Sequence, residues 1–234
     1  MLKCRRRFLS TGAFDFILEQ IAVIFLGDYK DEIYKTCGDM NGVVLDVGCG
    51  EGYFLRKLKA AFTQKGISAG ELQWYGLDIS KDAMKMAARS DVTTQYFVCD
   101  VHHTIPLEDR SVTLLMNNFA PRNFKEFGRI LAPEGYCLIV TPTSEHLQEL
   151  REYFKLISVD SQKVRRIEDR SQSYFSIQDK LYYQRSILLT PERALDAVRM
   201  GPNYWHIDQE KPPLLPFQSL RVTISVLIYV MRRI

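Results

Sequence analysis

Residues 45–54 read LDVGCGEGYF. An apolar run reaches an aspartate, glycines follow at 48, 50 and 52, and an aromatic pair opens the next segment. Glycine permits a sharp turn and lets a ligand touch the backbone where a Cβ would collide. The run before it, 43–47, reads as a strand, and 53–62 carries Phe54, Leu55, Leu58 and Phe62 on one helical face. Strand, tight turn and helix form the first unit of a doubly wound α/β sheet. Such sheets bind ligands at the carboxyl ends of their strands.

The same alternation continues down the chain. Residues 74–77, 96–99, 112–116 and 136–141 read as further strands. Ser80 is placed to cap a helix running to 89, and 124–131 reads as a short helix closed by APEG. Upstream, residues 5–25 carry Phe8, Leu9, Phe16, Ile17, Ile21 and Phe25 at helical spacing, and Gly12 divides a short helix from a longer one. Downstream, 145–155 reads as a helix, while 163–180 is polar and takes no assignment. Residues 181–189 read as a strand, and Thr190 caps a helix with Pro191 at its first position. VTISVLIYV, 222–230, is a buried strand; it is far short of the ~20 residues of a membrane span, so no membrane partner is expected.

Composition narrows the class. With 234 residues, 46% hydrophobic and 25% charged, the chain suits one large domain rather than a disordered segment. A net charge of +3 allows a nucleic-acid partner without demanding one. The cysteines number five and none form C-x-x-C, which argues against a disulfide framework and a metal site and for reduced thiols in the cytoplasm.

The chemistry follows from the strand ends. Gly48, Gly50 and Gly52 are spaced G-x-G-x-G rather than the dinucleotide G-x-G-x-x-G, and Asp46 stands before the turn. A carboxylate there repels a pyrophosphate but suits an ammonium or sulfonium, which points to S-adenosylmethionine. Cys49, Tyr53 and Phe54 belong to the same turn and are expected at the cofactor. Asp78 ends the second strand, where an acid can accept ribose hydroxyls, with Ile79 beside it. Asp100 and Val101 end the third strand, where an adenine could lie. Asn117 ends the fourth on the cofactor side, and Asn118, Phe119 and Pro121 face the methyl acceptor. Each position also has a plain structural reading: a tight turn, a helix cap, an ordinary turn aspartate or an Asn/Pro turn. The catalytic group is open among Asp100, Asn117 and His102, with His103 adjoining.

LDVGCGEGYF, YGLDIS, FAP, LAPEGYCLIVTPTSEHLQEL and MGPNYW, in that order after Arg5-Arg6-x-Phe8-Leu9-x-x-Gly12, resemble the bacterial 23S ribosomal RNA (guanine-N1)-methyltransferases. With the alternation above, the resemblance implies a Rossmann-like class I methyltransferase. Its central sheet is mostly parallel, with helices on both faces and an antiparallel C-terminal strand. The expected layout is a helical segment over 1–40 and the methyltransferase domain over 41–234, with 156–220 as a substrate-side insertion. The resemblance places Phe14 and His146 at the cofactor and Tyr204 and Trp205 at the acceptor pocket. Phe14 stands where the family has Tyr, and the C-x-x-C zinc ribbon usual in the family is not among these residues.

Three basic sets are candidates for gripping RNA: Arg5-Arg6-Arg7, Lys163-x-Arg165-Arg166 beside Tyr174 and Phe175, and Arg232-Arg233. The expected function is methylation of guanine N1 in ribosomal RNA with S-adenosylmethionine as cofactor. A small-molecule methyltransferase and a non-catalytic S-adenosylmethionine-binding module are the alternatives. Ribosomal RNA is the expected partner, and a homodimer is possible on this reading.

Overall fold

The computed structural model describes residues 1–29, 31, 42–65, 72–156, 163–201, 204 and 216–234. Helices α1 (Leu2–Leu9) and α2 (Asp15–Val23) come first, α2 running into a π turn at Ile24–Asp28. Then follow β1 (Val43–Val47), α3 (Tyr53–Gln64), β2 (Gln73–Asp78), α4 (Lys81–Ser90), β3 (Gln95–Val98) and β4 (Val112–Asn118). The chain continues with α5 (Phe124–Ile130), β5 (Leu131–Pro142), α6 (Gln148–Phe154), α7 (Lys163–Ser171), β6 (Phe175–Leu189), α8 (Pro191–Arg199) and β7 (Leu220–Arg233).

The strands form one seven-stranded sheet in the order β3-β2-β1-β4-β5-β7-β6. The first five are parallel, and β7 runs antiparallel between β5 and β6. The mostly parallel sheet with an antiparallel C-terminal strand is therefore the fold. Strands covered on both faces need near-continuous apolar runs, and β4 is buried throughout while β7 is buried from Val222 to Val226 without a break.

Alternation divides the core between the two faces. Val44, Leu114, Met116, Leu138 and Val140 pack with Phe8, Ile17, Phe54, Leu58 and Val198, so α1, α2, α3 and α8 cover one face. Leu45, Val47, Leu115, Cys137 and Ile139 pack with Phe124, Phe127 and Ile167, so α5 and α7 cover the other. Burying each such Leu, Ile or Phe contributes roughly 1.5–3 kcal/mol.

Two segments differ from the sequence reading. The short helix ends at Ile130, and APEG lies inside β5, because Pro133 pushes the residue before it out of helical space. The unassigned stretch 163–180 divides into α7 and the start of β6; in α7, Val164, Ile167 and Ser171 form the inward stripe. Within 156–220, β6 pairs with β7 along its length and α8 supplies Ala194, Ala197 and Val198 to the core. Ser80 and Thr190 cap their helices as expected, accepting from the amides of Ala83 at 3.2 Å and Arg193 at 3.5 Å.

Candidate active site

The carboxyl ends of β1, β2 and β4 bring three acids and one arginine together. Asp46 lies on the face of Val44 and is fully buried. Its Oδ1 accepts from Asn118 Nδ2 at 3.3 Å, while Oδ2 has no hydrogen-bond partner among the described residues. Burial pushes this carboxyl up to about 7; Arg5 and Asn118 pull it down, and Asp78 and Glu51 push it further up. Arg5 reaches in from α1, and its Nε donates to Glu51 Oε2 at 2.9 Å. Asp78 holds the turn in shape. Its Oδ2 accepts the Gly50 amide at 3.0 Å and its Oδ1 accepts the Ser80 amide at 2.8 Å. A carboxylate has about four acceptor positions, so acceptor capacity remains for a ligand. Beside it, Ile79 is 68% exposed, an apolar surface at the mouth of the turn.

The glycines also make room for neighbouring protein segments. Gly48 has φ +77°, and a Cβ there would lie 2.3 Å from the Cβ of Ala120. The space beside Gly52 is taken by Tyr96 and Arg56, and that beside Gly50 by Arg5. The missing side chains let four protein segments close on the turn, and Cys49 is buried within it.

Four rings from four segments meet beside this cluster. Phe14, from the α1–α2 connection, lies 5.5 Å from Phe119 and 5.9 Å from His146, centroid to centroid. Phe119 lies 5.6 Å from His146 and 6.2 Å from Phe54 of α3. Phe119 adopts φ +57°, rare for a bulky residue and a strain that concentrates at functional sites. The His146 Nδ1 lies 3.3 Å from the Ser225 amide and 3.1 Å from the Ser225 carbonyl oxygen, which fixes the ring against β7. Tyr53 donates to Asp15 and joins α3 to α2.

Asn117 holds the β4–α5 turn. Its Nδ2 donates to the carbonyls of Val47 at 3.0 Å and Pro121 at 2.9 Å, and its Oδ1 is buried with no partner among the described residues. Asn118 Oδ1 is buried and unpartnered in the same way. Pro121 itself is exposed.

The β3 end is arranged differently. Asp100 Oδ1 accepts the His102 amide at 2.9 Å, and Oδ2 lies 3.1 Å from His103 Nδ1. The His102 amide, with the neighbouring imidazoles, holds the Asp100 carboxyl below its ordinary range. This is the geometry of an Asx turn with both histidines exposed. Val101 is buried, and its carbonyl accepts from Asn123. Tyr204 is partly buried, with its amide donating to the Gly201 carbonyl; Trp205 lies outside the described residues.

The basic sets change meaning. Arg5 turns to Glu51, Arg6 to Ser90 and Arg7 to Asp196, so the arginine run points three ways instead of forming one patch. Phe175 is buried against Phe124 and offers no face for stacking. Glu51 and Ser225 escaped the sequence reading. Glu51 carried a signal, an acid inside the glycine turn, whereas Ser225 meets His146 only through the β5–β7 pairing.

A family model described as a methyltransferase domain matches residues 45–139, the span from β1 through most of β5. A Streptomyces fradiae protein named 23S rRNA (guanine(748)-N(1))-methyltransferase is 34% identical over 211 residues, covering 87% of this chain and 73% of that protein. A Micromonospora griseorubida protein whose name assigns it to the same guanine-N1 group is 35% identical over 214 residues, covering 89% of this chain and 70% of its own.

The chain belongs to the 23S rRNA (guanine-N1)-methyltransferase family.

As a member of that family it is an S-adenosylmethionine-dependent methyltransferase. Solved structures agree on the fold: the MccD protein superposes with a TM-score of 0.53 at 15% identity, covering 87% of this chain and 95% of that one. YcgJ from Bacillus subtilis gives 0.51 at 14% identity, covering 86% and 95%.

The residues of this methyltransferase fit its cofactor. Asp46 Oδ2 is a buried oxygen with acceptor capacity unused by the described residues, suited to a cationic group. Phe14, Phe119 and Phe54 cluster, and an aromatic face attracts a sulfonium as it attracts an ammonium. Asp78 keeps acceptor capacity for hydroxyls beside the exposed Ile79.

Proposed function

We propose that this chain methylates N1 of a guanine in 23S ribosomal RNA. The observation that carries the acceptor is the likeness to two guanine-N1 relatives over almost nine-tenths of the chain. S-adenosylmethionine supplies an electrophilic methyl group on a good leaving group, so the protein's contribution is position and electrostatics.

On this reading Asp46 is the counter-charge to the cofactor's cationic part, shielded from water and aimed by Asn118. Gly48, Cys49, Gly50, Gly52, Tyr53 and Phe54 shape the turn around it. Asp78 takes the ribose hydroxyls, with Ile79, Asp100 and Val101 flanking the adenine. Phe14 and His146 close the methionine end. The side-chain carbonyl oxygens of Asn117 and Asn118, buried with no partner among the described residues, are the acceptors this reading assigns to a base edge. Phe119 stacks on that base, while Pro121, Tyr204 and Trp205 shape the acceptor side.

No helix among the described residues is long and apolar enough to cross a membrane, and we place the reaction in the cytoplasm, where ribosomal RNA is processed. Incubation with methyl-labelled cofactor and unmethylated 23S ribosomal RNA tests the reading. Label in the RNA is the expected result. Label only in a small molecule would favour the metabolite alternative, and cofactor binding without any product would favour the binding module.

A further inference from the structure

A cleft of about 610 Å³ opens between α1 and α8, away from the glycine turn. Arg7, Arg193 and Arg199 face it, with Glu192 and Asp196 as the acids. Asp196 is committed: Arg7 Nε donates to its Oδ2 at 2.8 Å and Arg7 Nη2 to its Oδ1. Asp196 is buried, while Arg7 is exposed. The lining as a whole sets three guanidinium groups against two carboxylates, an excess of one positive charge among its described residues. Arg193 is exposed, in the first turn of α8, where the helix end adds positive potential.

The place of the cleft matters as much as its charge. Ser10 and Thr11 form one wall, and the chain passes from Thr11 through Gly12 straight to Phe14 in the ring cluster. Three residues span at most about 10 Å, so the cleft lies one short step from the candidate active site. The opposite wall, Arg199, leads through Gly201 to Tyr204 on the acceptor side. An anion held here would be attached to, or next to, the group presented to Phe119.

We propose that this cleft binds a backbone phosphate of the RNA strand that carries the target guanine, with Arg193 and Arg199 as its ligands. The inference rests on the ribosomal RNA reading above. Guanidinium forks match phosphate oxygens in pairs, and a phosphate held in place fixes the strand without reading its sequence.

The test measures binding of 23S ribosomal RNA at several salt concentrations for wild type, Arg193→Gln/Arg199→Gln and Glu192→Gln. For single-stranded RNA, each phosphate that the protein neutralises adds about 0.7 to the steepness of log K against log salt. The double variant should therefore bind RNA more weakly, with a slope shallower by about 0.7 for the one phosphate it no longer neutralises, and Glu192→Gln should bind more tightly. Affinity for S-adenosylhomocysteine should match wild type in both, which shows that they are folded. Inorganic phosphate at matched ionic strength separates the two sources: displacement of RNA by phosphate in wild type but not in the double variant supports the proposal, and phosphate that binds the cleft without displacing RNA would overturn it. Wild-type slope and affinity in the double variant would overturn it while leaving the methylation reading intact. A wild-type protein that neither binds nor methylates the RNA would remove both.

Discussion

Asn118 Nδ2 sits 3.3 Å from Asp46 Oδ1 and ties the end of β4 to the end of β1. That bond serves one carboxylate oxygen; the other, Oδ2, is buried with no partner among the described residues. A buried acid half-satisfied in this way is costly unless a cation completes it.

The pH dependence of stability follows from this acid. Its folded carboxyl is pushed up to about 7 by burial, above an ordinary value of 3.8. The folded chain therefore holds a proton at Asp46 that the unfolded chain has released between those values, and the contribution of Asp46 to stability falls as pH rises through that window. The contribution is fully present below about 4 and gone above about 7. Asp46→Asn should flatten this slope and melt higher than wild type at pH 8, as differential scanning calorimetry without cofactor would record. An unchanged slope would remove Asp46 as its source.

Cofactor binding should carry the opposite sign. A cation beside Asp46 favours the ionised carboxylate, so affinity should weaken as pH falls below about 7, with proton release on binding. Calorimetric titration in buffers of different ionisation enthalpy reads the released proton, and Asp46→Asn should abolish the release together with most of the affinity.

Gly48→Ala puts a Cβ 2.3 Å from the Cβ of Ala120 at a φ of +77°. Left-handed backbone alone costs about 1–2 kcal/mol, and the clash forces the two turns apart. A melting temperature lower by several degrees is expected, with cofactor affinity reduced at least tenfold. Near-wild-type binding would mean that the two turns do not need to touch.

Much of this was legible in the chain itself. The glycine turn, Asp46 and the alternating apolar runs predict the parallel half of the sheet, because each rests on local chemistry and spacing. Ser80 and Thr190 announce their helices through side chains that bond their own neighbours. The setting of His146 was not legible, since Ser225 meets it only through the pairing of β5 with β7. Nor was the dispersal of Arg5, Arg6 and Arg7, whose partners lie on three distant segments.

Arg5→Gln removes the positive charge beside Asp46 and Glu51. The Asp46 carboxyl should rise further, moving the pH midpoint of cofactor binding upward. Arg5→Lys should restore it in part, because charge rather than fork geometry sets the effect. Identical midpoints in all three proteins would contradict the proposed electrostatic coupling.

Phe119 allows ring and backbone to be separated. Phe119→Ala and Phe119→Gly both remove the ring, and both should lower methyl transfer at least tenfold while cofactor affinity changes less. Glycine tolerates φ +57° and alanine does not, so Phe119→Gly should be the more stable of the two by about 1 kcal/mol. Chemical denaturation compares them directly.

The most direct measurement is nucleoside mass spectrometry of unmodified 23S ribosomal RNA after incubation with this protein and S-adenosylmethionine. The account predicts 1-methylguanosine at a single guanine, absent with Asp46→Asn. Another methylated nucleoside, or none, in the presence of demonstrated cofactor binding would contradict it.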